Sequence, residues 1–371
     1  KKYLESKDEF SDYDFEASGL SNILDVLAYN THINGLIANM ATNESFLASS
    51  QLRSSVISHA ETLGYVSNSR SASIARLNVK VVTTDTVTPV IALPKYSTFT
   101  SSIDDVAYTF QTLEEFEAFN DGTGTFEFKT SIGGTDIPVY EGILKTKTFL
   151  VGETEDEQVY VIPDETLDTT TVTVSAFDTP TSSTFTPYTD INNNVRIDRE
   201  STVYIIREVP NGYYEVTFSD GNVLGKAPSA GNKIVVQYIS SRGEKANNGT
   251  VFTADDGITV GGISYTPTVV AIGKSSGGSA KESISSIKGN APRAFATQQR
   301  LVTAEDYRAL ILQRYSSVLS DVASWGGNDN IPPVYGRAYV SLAFKSGVDT
   351  ITQQATKDLI KSVLSDNLAV M

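Results

Sequence analysis

Only two side chains in this chain of 371 residues, His32 and His59, could serve as an imidazole base. A nucleophile relay would need one of them beside a serine and an acid. Both fall in a helix-like stretch with no neighbouring carboxylate pattern, and both read as helix-surface or packing residues. Gly273-Lys274-Ser275 has the ending of a phosphate loop, in which backbone N–H groups and a lysine cradle phosphates. The glycine needed earlier in that loop is replaced by Thr268, so no cradle is expected. Asp190-Ile191-Asn192-Asn193-Asn194 opens like a calcium loop, but Val195 stands where the turn glycine belongs and Ser201 where the closing glutamate belongs. It reads as an Asx-rich turn. Asp255-Asp256-Gly257 reads as another turn, and Glu114, Glu115 and Glu117, around Phe116 and Phe119, as the solvated face of a short helix. The 44 acids show no spacing that singles out a carboxylate pair for glycoside hydrolysis. No catalytic residue, metal ligand or cofactor is expected.

The composition narrows the partners. A net charge of −15 repels nucleic-acid phosphates and anionic membrane surfaces, so neither is expected as a partner. Cysteine is absent, which removes disulfides and thiolate metal sites and leaves packing to supply stability. No stretch approaches the ~20 apolar residues of a membrane helix, and the opening KKYLESKDEF lacks the apolar centre of a signal peptide. The chain reads as part of a longer one.

Three textures follow one another, giving an α+β multidomain expectation. Residues 1–70 read as helical. Leu20, Ile23, Leu24 and Leu27, then Ile33, Leu36, Ile37 and Met40, recur at helical spacing. A break at Ala41-Thr42-Asn43, with Thr42 or Asn43 as cap, then starts a second helix bearing Leu52, Val56, Ala60 and Leu63 and ending at Gly64. This helical hairpin either packs on itself or bundles with neighbouring subunits. Residues 71–272 alternate in strand fashion, as in Ala75-Arg76-Leu77-Asn78-Val79-Lys80-Val81, and read as a mainly antiparallel β domain of sandwich or barrel type. Within it Thr166–Thr189, rich in threonine and serine, reads as an exposed loop or edge hairpin. Residues 273–371 read as a small α+β layer. It comprises a short helix Glu282–Lys288 ending near Gly289, a helix capped by Thr303 and Asp306, strands at Val318–Trp325 and Val334–Phe344, and a last helix from Thr352 with Ala355, Leu359, Val363 and Leu364 inward. Its closing strand is expected beyond Met371.

The densest pattern is Tyr213–Thr253. Tyr214, Val216 and Phe218 share one face of a strand, and Asp220-Gly221-Asn222 turns the chain. Gly225 and Gly231 follow, then the run Ile234–Tyr238, Gly243 and Asn247-Asn248-Gly249. Phe218, Asp220, Gly221, Gly225, Gly231, Tyr238, Gly243 and Asn247 are the residues expected to define this shape; none has an evident chemical role. The run FSDGNVLGK followed by GNKIVVQYISSRGEKAN resembles the central β motif of baseplate wedge proteins of T-even-like contractile-tailed phages, relatives of the baseplate J group. Two further segments, Asp12–Tyr65 and Gly277–Trp325, resemble the same family in the same order.

The resemblance implies a structural virion protein of the tail baseplate, assembled in the host cytoplasm and acting without catalysis. It implies a homodimer whose helices bundle with another wedge protein. It also implies contacts to neighbouring wedges and to the hub and sheath-initiating proteins, in a ring around the tail hub that rearranges when the sheath contracts. Matching positions carried over with it include Asp14, Phe15, Asn30, Glu44, Ser45, Ser54, Arg300 and Tyr307. Candidate interface residues are Leu24, Leu27, Tyr29, Leu36, Arg53 and Trp325. For Arg53 a local ion pair to Glu44 or Glu61 is the competing reading, and for Trp325 packing against the last helix. A carbohydrate-binding or adhesin-like β module of a phage or cell surface is the alternative function, with a hydrolase hidden in the β domain as a third.

Overall fold

The computed structural model describes residues 2–10, 19–130, 134, 136–153, 158–191, 197–219, 225–297, 303–315, 318–345, 348 and 350–367. A short turn of helix, α1 (Lys2–Glu5), precedes α2 (Gly19–Glu44) and α3 (Arg53–Thr62). The expected break at Ala41–Asn43 is absent. Thr42 Oγ1 donates back to Ala38 O (2.9 Å) within α2 and caps nothing downstream. The residue before α3 is Leu52, without a side-chain cap. Glu44 substitutes from a distance, accepting the N–H groups of Gln51 (2.8 Å) and Leu52 (3.3 Å). Gly64 follows α3 at φ 75°, and its N–H reaches Glu61 O (2.8 Å).

Among the described residues the β region builds two seven-stranded sheets and two separate two-stranded pairs. β1 (Ile74–Val82), β3 (Thr98–Ile103), β4 (Val106–Gln111), β6 (Thr125–Glu127) and β7 (Ile137–Glu141) begin the first sheet, while β2 (Val90–Leu93) and β5 (Phe116–Phe119) pair with each other apart from it. The chain then leaves for β8 (Ile143–Leu150), β9 (Val159–Ile162), β10 (Thr173–Phe177), β11 (Phe185–Asp190), β12 (Val203–Glu208), β13 (Tyr214–Phe218) and β14 (Lys233–Ser240), which form the second. It returns through β15 (Thr253–Ala254), β16 (Ile258–Val260), β17 (Ile263–Tyr265) and β18 (Thr268–Ala271). The first sheet has the order β15-β3-β4-β7-β1-β18 with β6 also on β1; the second, inserted sheet has the order β8-β14-β10-β11-β12-β13-β9. All pairings are antiparallel except the short parallel contact of β11 with β12.

Each sheet has its own core. Leu77, Val79 and Val81 of β1 alternate inward to meet Phe99, Phe110, Phe126 and Ile137, and the β2–β5 pair covers them with Ile91, Leu93 and Phe116. Phe116 therefore belongs to a strand and is buried while Phe119 is exposed, so the acidic run around them lies on a strand edge and not on a helix. The inserted sheet curls over Val174, Tyr188, Ile206, Val216, Ile234 and Val236. Its two edge strands approach each other, because the rings of Phe149 of β8 and Tyr160 of β9 pack at a tilt, 5.3 Å between centroids. Thr166–Thr189, expected at an edge, supplies β10, an interior strand between β14 and β11. Val174 and Ala176 face the core between exposed or half-exposed Thr173, Ser175 and Phe177, and that short alternation outweighs the polar composition around it.

Beyond β18, α4 (Ile284–Thr297) runs through Gly289 and Pro292 and is longer than the expected Glu282–Lys288 helix. Its Ile287 and Ala291 pack on Val56, Ile57, Ala60 and Tyr65 around α3. The core partner of α3 is thus α4, more than two hundred residues away in sequence, and no α2 residue belongs to a buried cluster among the described residues. α5 (Ala304–Tyr315), β19 (Leu319–Gly326), β20 (Ala338–Phe344) and α6 (Thr350–Asn367) then give the expected helix–strand–strand–helix order around Ile311, Leu319, Val322 and Ile360. Thr303 and Asp306 form the expected reciprocal cap, Thr303 N to Asp306 Oδ2 (2.7 Å) and Asp306 N to Thr303 Oγ1 (3.3 Å).

Candidate functional site

The β motif is a structural joint. Phe218 packs edge-to-face on Tyr188 (4.9 Å) and Tyr160 (5.8 Å). The buried Tyr238 donates its hydroxyl to Asp164 Oδ2 (3.3 Å). Burial works against charge on Asp164, but the Lys145 ammonium at 2.6 Å and the Thr166 hydroxyl and N–H outweigh it, so the carboxyl stays below its ordinary range. Gly225 and Gly231 both take positive φ. Asp220 and Gly221, the expected turn itself, lie outside the described residues, as do Asp14, Phe15, Asn192 to Val195 and Arg300.

Gly243 and Asn247 reach further than a hairpin turn. Gly243 has φ 67°, and a Cβ there would sit 2.7 Å from Ser279 O. The Asn247 amide donates to Gly278 O (2.9 Å) and accepts from Gly278 N (2.9 Å), satisfying a passing strand of backbone from both ends. Nearby, the buried Glu141 at the end of β7 accepts Ser241 Oγ (2.7 Å) and Arg242 N (3.0 Å) just past β14. The entry to and exit from the inserted sheet are fastened at one carboxylate. Burial pushes Glu141 up despite those donors. Asp168, also pushed up by burial, accepts Ala72 N (2.6 Å) from the segment ahead of β1.

The candidate interface residues fall in different surroundings. Leu27 (57% exposed), Tyr29 (69%) and Leu36 (57%) stand on α2 with little cover; Leu24 is half-buried. α2 is 26 residues long, about 39 Å at helical rise, and Asp25 and Glu44 are its only charged side chains. Exposed Ile23, Val26, Ile37 and Met40 extend its apolar surface around the helix. Arg53 pairs with neither Glu44 nor Glu61. Its guanidinium grips Glu208 at the end of β12 in a bidentate pair, Nε to Oε1 2.8 Å and Nη2 to Oε2 2.9 Å. Trp325 is half-buried. It stacks on Tyr339 of the paired strand, with centroids 5.9 Å apart, and donates Nε1–H to Asn330 Oδ1 (2.9 Å).

One string with chemical spacing remains, Gly-x-Ser-x-Gly at Gly273 to Gly277. Its Ser275 is fully buried. The hydroxyl donates to Ala246 O (2.7 Å) and accepts Gly249 N–H (2.7 Å). His59 is engaged elsewhere, its Nε2 lying 2.8 Å from Glu44 O. Ser275 is a backbone brace. Among the described residues no group of acids and histidines is placed to hold a metal ion.

The described residues present an exposed apolar helix joined to braced β cores, and the comparisons find similarity to baseplate proteins. Residues 1–65 match the model of the baseplate wedge protein gp6-like helical domain, and residues 303–369 match that of the baseplate structural protein gp6, C-terminal domain I. The resemblance to T-even-like baseplate wedge proteins stands, and those relatives are structural proteins, not enzymes. A similar protein is the baseplate wedge protein gp6 of Enterobacteria phage T4, 29% identical over 392 residues, covering 99% of this chain and 56% of the relative. The chain therefore spans little more than half the length of that relative. The anti-feeding prophage (AFP) baseplate, solved by cryo-EM with 6-fold symmetrisation, has a chain that aligns with all of this one and 74% of its own length, at 13% identity and a TM-score of 0.31. A likeness that low carries no weight for the fold.

Proposed function

We propose that this chain is a wedge subunit of a phage tail baseplate that works by assembly: it dimerises, bundles α2 with helices of other wedge proteins, and takes part in a ring around the tail hub that rearranges on sheath contraction. The observation that carries the reading is α2. A helix of this length with apolar side chains exposed around it and almost no charge is a poor surface for a lone molecule in water, and a good one for packing between other helices. The gp6-like helical-domain match falls on the same residues, and the full-length relative is named for the wedge. Partners on this reading are a second copy, other wedge proteins, neighbouring wedges, and hub and sheath-initiating proteins, within a virion assembled in the host cytoplasm.

Light scattering on the purified chain, followed by co-expression with wedge proteins of the same phage, tests it. The unmodified chain should form a dimer or a stable complex. Leu27→Asp with Leu36→Asp should leave circular dichroism intact and abolish the association, since each charge would have to be buried unpaired. A strict monomer that joins no tail protein sinks the reading. Glycan-array binding by such a monomer would favour the adhesin-like alternative.

A further inference from the structure

We propose that Glu208 is the catch of a mechanical latch: it holds the helical unit built from α3 and α4 against the inserted sheet, and that joint opens and closes as a unit while the cores on either side stay folded. The inference rests on the chain's own geometry and not on the baseplate reading.

Three charges from three distant segments converge there. Glu208 ends β12 with its side chain 3% exposed. Arg53, the first residue of α3, clasps both carboxylate oxygens and donates through Nη1 to Glu282 O (2.5 Å). Lys281, ahead of α4, reaches Glu208 Oε1 (3.2 Å) and Gly212 O (2.6 Å), and its ammonium lies 4.9 Å from the Tyr214 ring centre. Burial opposes charge on Glu208, but Arg53 and Lys281 overcome it and hold the carboxyl below its ordinary range. The helical side is rigid in itself. Glu282 accepts Tyr65 Oη (2.9 Å), Asn68 N (3.1 Å), Ser286 Oγ (2.7 Å) and Asn290 Nδ2 (2.9 Å), tying the end of α3 to the start of α4.

Among the described residues, the buried apolar cluster of α3 and α4 shares no member with that of the inserted sheet. Charge therefore has to do at this joint what apolar burial does elsewhere. A buried ion pair nearly balances attraction against lost hydration, whereas one partner left alone in the interior is strongly unfavourable. The favourable states are the closed joint with all three charges engaged and the open joint with all three in water. The hinge for such a motion is the paired crossing where Ser71 and Ser279 exchange backbone hydrogen bonds (3.2 and 3.1 Å) and Glu282 N reaches Asn68 O (3.1 Å). Because Glu44 and the Glu44–His59 contact fasten the end of α2 to α3, opening would re-aim α2 relative to the sheets.

Hydrogen exchange on the full chain reads the latch directly. Glu208→Gln should speed exchange about ten-fold in α3, in residues 280–291 and in the Val209–Gly212 turn, with the interior of β12 and β13 unchanged. Val216→Ala, in the core of the inserted sheet, should do the reverse, speeding the strands and sparing the helices. Unchanged helical exchange in Glu208→Gln, or equal acceleration across the whole inserted sheet, would overturn the latch. If Glu208→Gln does not fold, Lys281→Met gives the same reading by removing one partner of the buried carboxylate: joint exchange rises while strand exchange stays flat. A joint indifferent to Lys281→Met would overturn it equally.

Discussion

At Asn247 a residue type legible as a turn former does something its neighbours do not announce. Both halves of its side-chain amide are used on the backbone of Gly278, so its importance lies in a contact with a segment from another part of the sequence. The same holds for Arg53. Its geometry suited bidentate pairing, as read, but the carboxylate it grips lies 155 positions away, and no helical spacing could point there. Ser275 shows the converse, a chemical spacing emptied of chemistry by burial. Local residue character was readable at Asn247 and Arg53, whereas the Ser275 spacing was missed; in all three the partner was set by topology. Asn247→Ala should cost about 1–3 kcal/mol, because it leaves the Gly278 N–H and carbonyl without partners in a confined crossing. Urea unfolding measures it, and a loss within error of zero would mean that water satisfies those groups and the clamp is dispensable.

At the scale of elements, periodicity located most strands and helices, and failed where burial overrode composition. β10 was hidden by threonines whose neighbours Val174 and Ala176 are core residues. α4 was cut short at Gly289, although packing of Ile287 and Ala291 on α3 carries the helix onward. The caps at Thr303 and Gly64 were readable because they need only local geometry. That the β region forms two cores was not readable, since both sheets alternate in the same way and only the return of β15 to β3 reveals the insertion. The separateness of those cores has a measurable consequence. Leu77, fully buried in β1 between β7 and β18, belongs to the first core alone. Leu77→Ala should lower the stability of that unit by about 2–5 kcal/mol. In calorimetry one transition should move down and the one assigned to the inserted sheet should stay in place. A single transition shifting as a whole would show that the cores melt together.

For the whole molecule, the buried carboxylates at the joints set opposing responses to pH. Glu208 and Asp164 are held below their ordinary range by cations and hydrogen bonds that outweigh burial. Their stabilisation is present above the unfolded values of 4.5 and 3.8 and is lost as pH falls through the lowered folded values. Glu141 and Asp168 are pushed up, chiefly by burial. In the folded chain they keep a proton that the unfolded chain has already released, so the folded state loses ground as pH rises from 4.5 and 3.8 through the raised folded values. The net charge of −15 adds repulsion in that same direction, but salt screens this surface contribution and hardly touches the buried one. Stability should therefore peak in mildly acidic solution and decline on both sides. Urea midpoints taken across pH at high salt would isolate the buried groups. Glu141→Gln should flatten the decline toward neutrality and leave the acid limb in place, whereas Glu208→Gln should blunt the acid limb alone. A wild-type midpoint that climbs steadily from acid to neutral pH would show that Glu141 and Asp168 ionise without penalty, and that the crossings between the sheets are wetter than their burial implies.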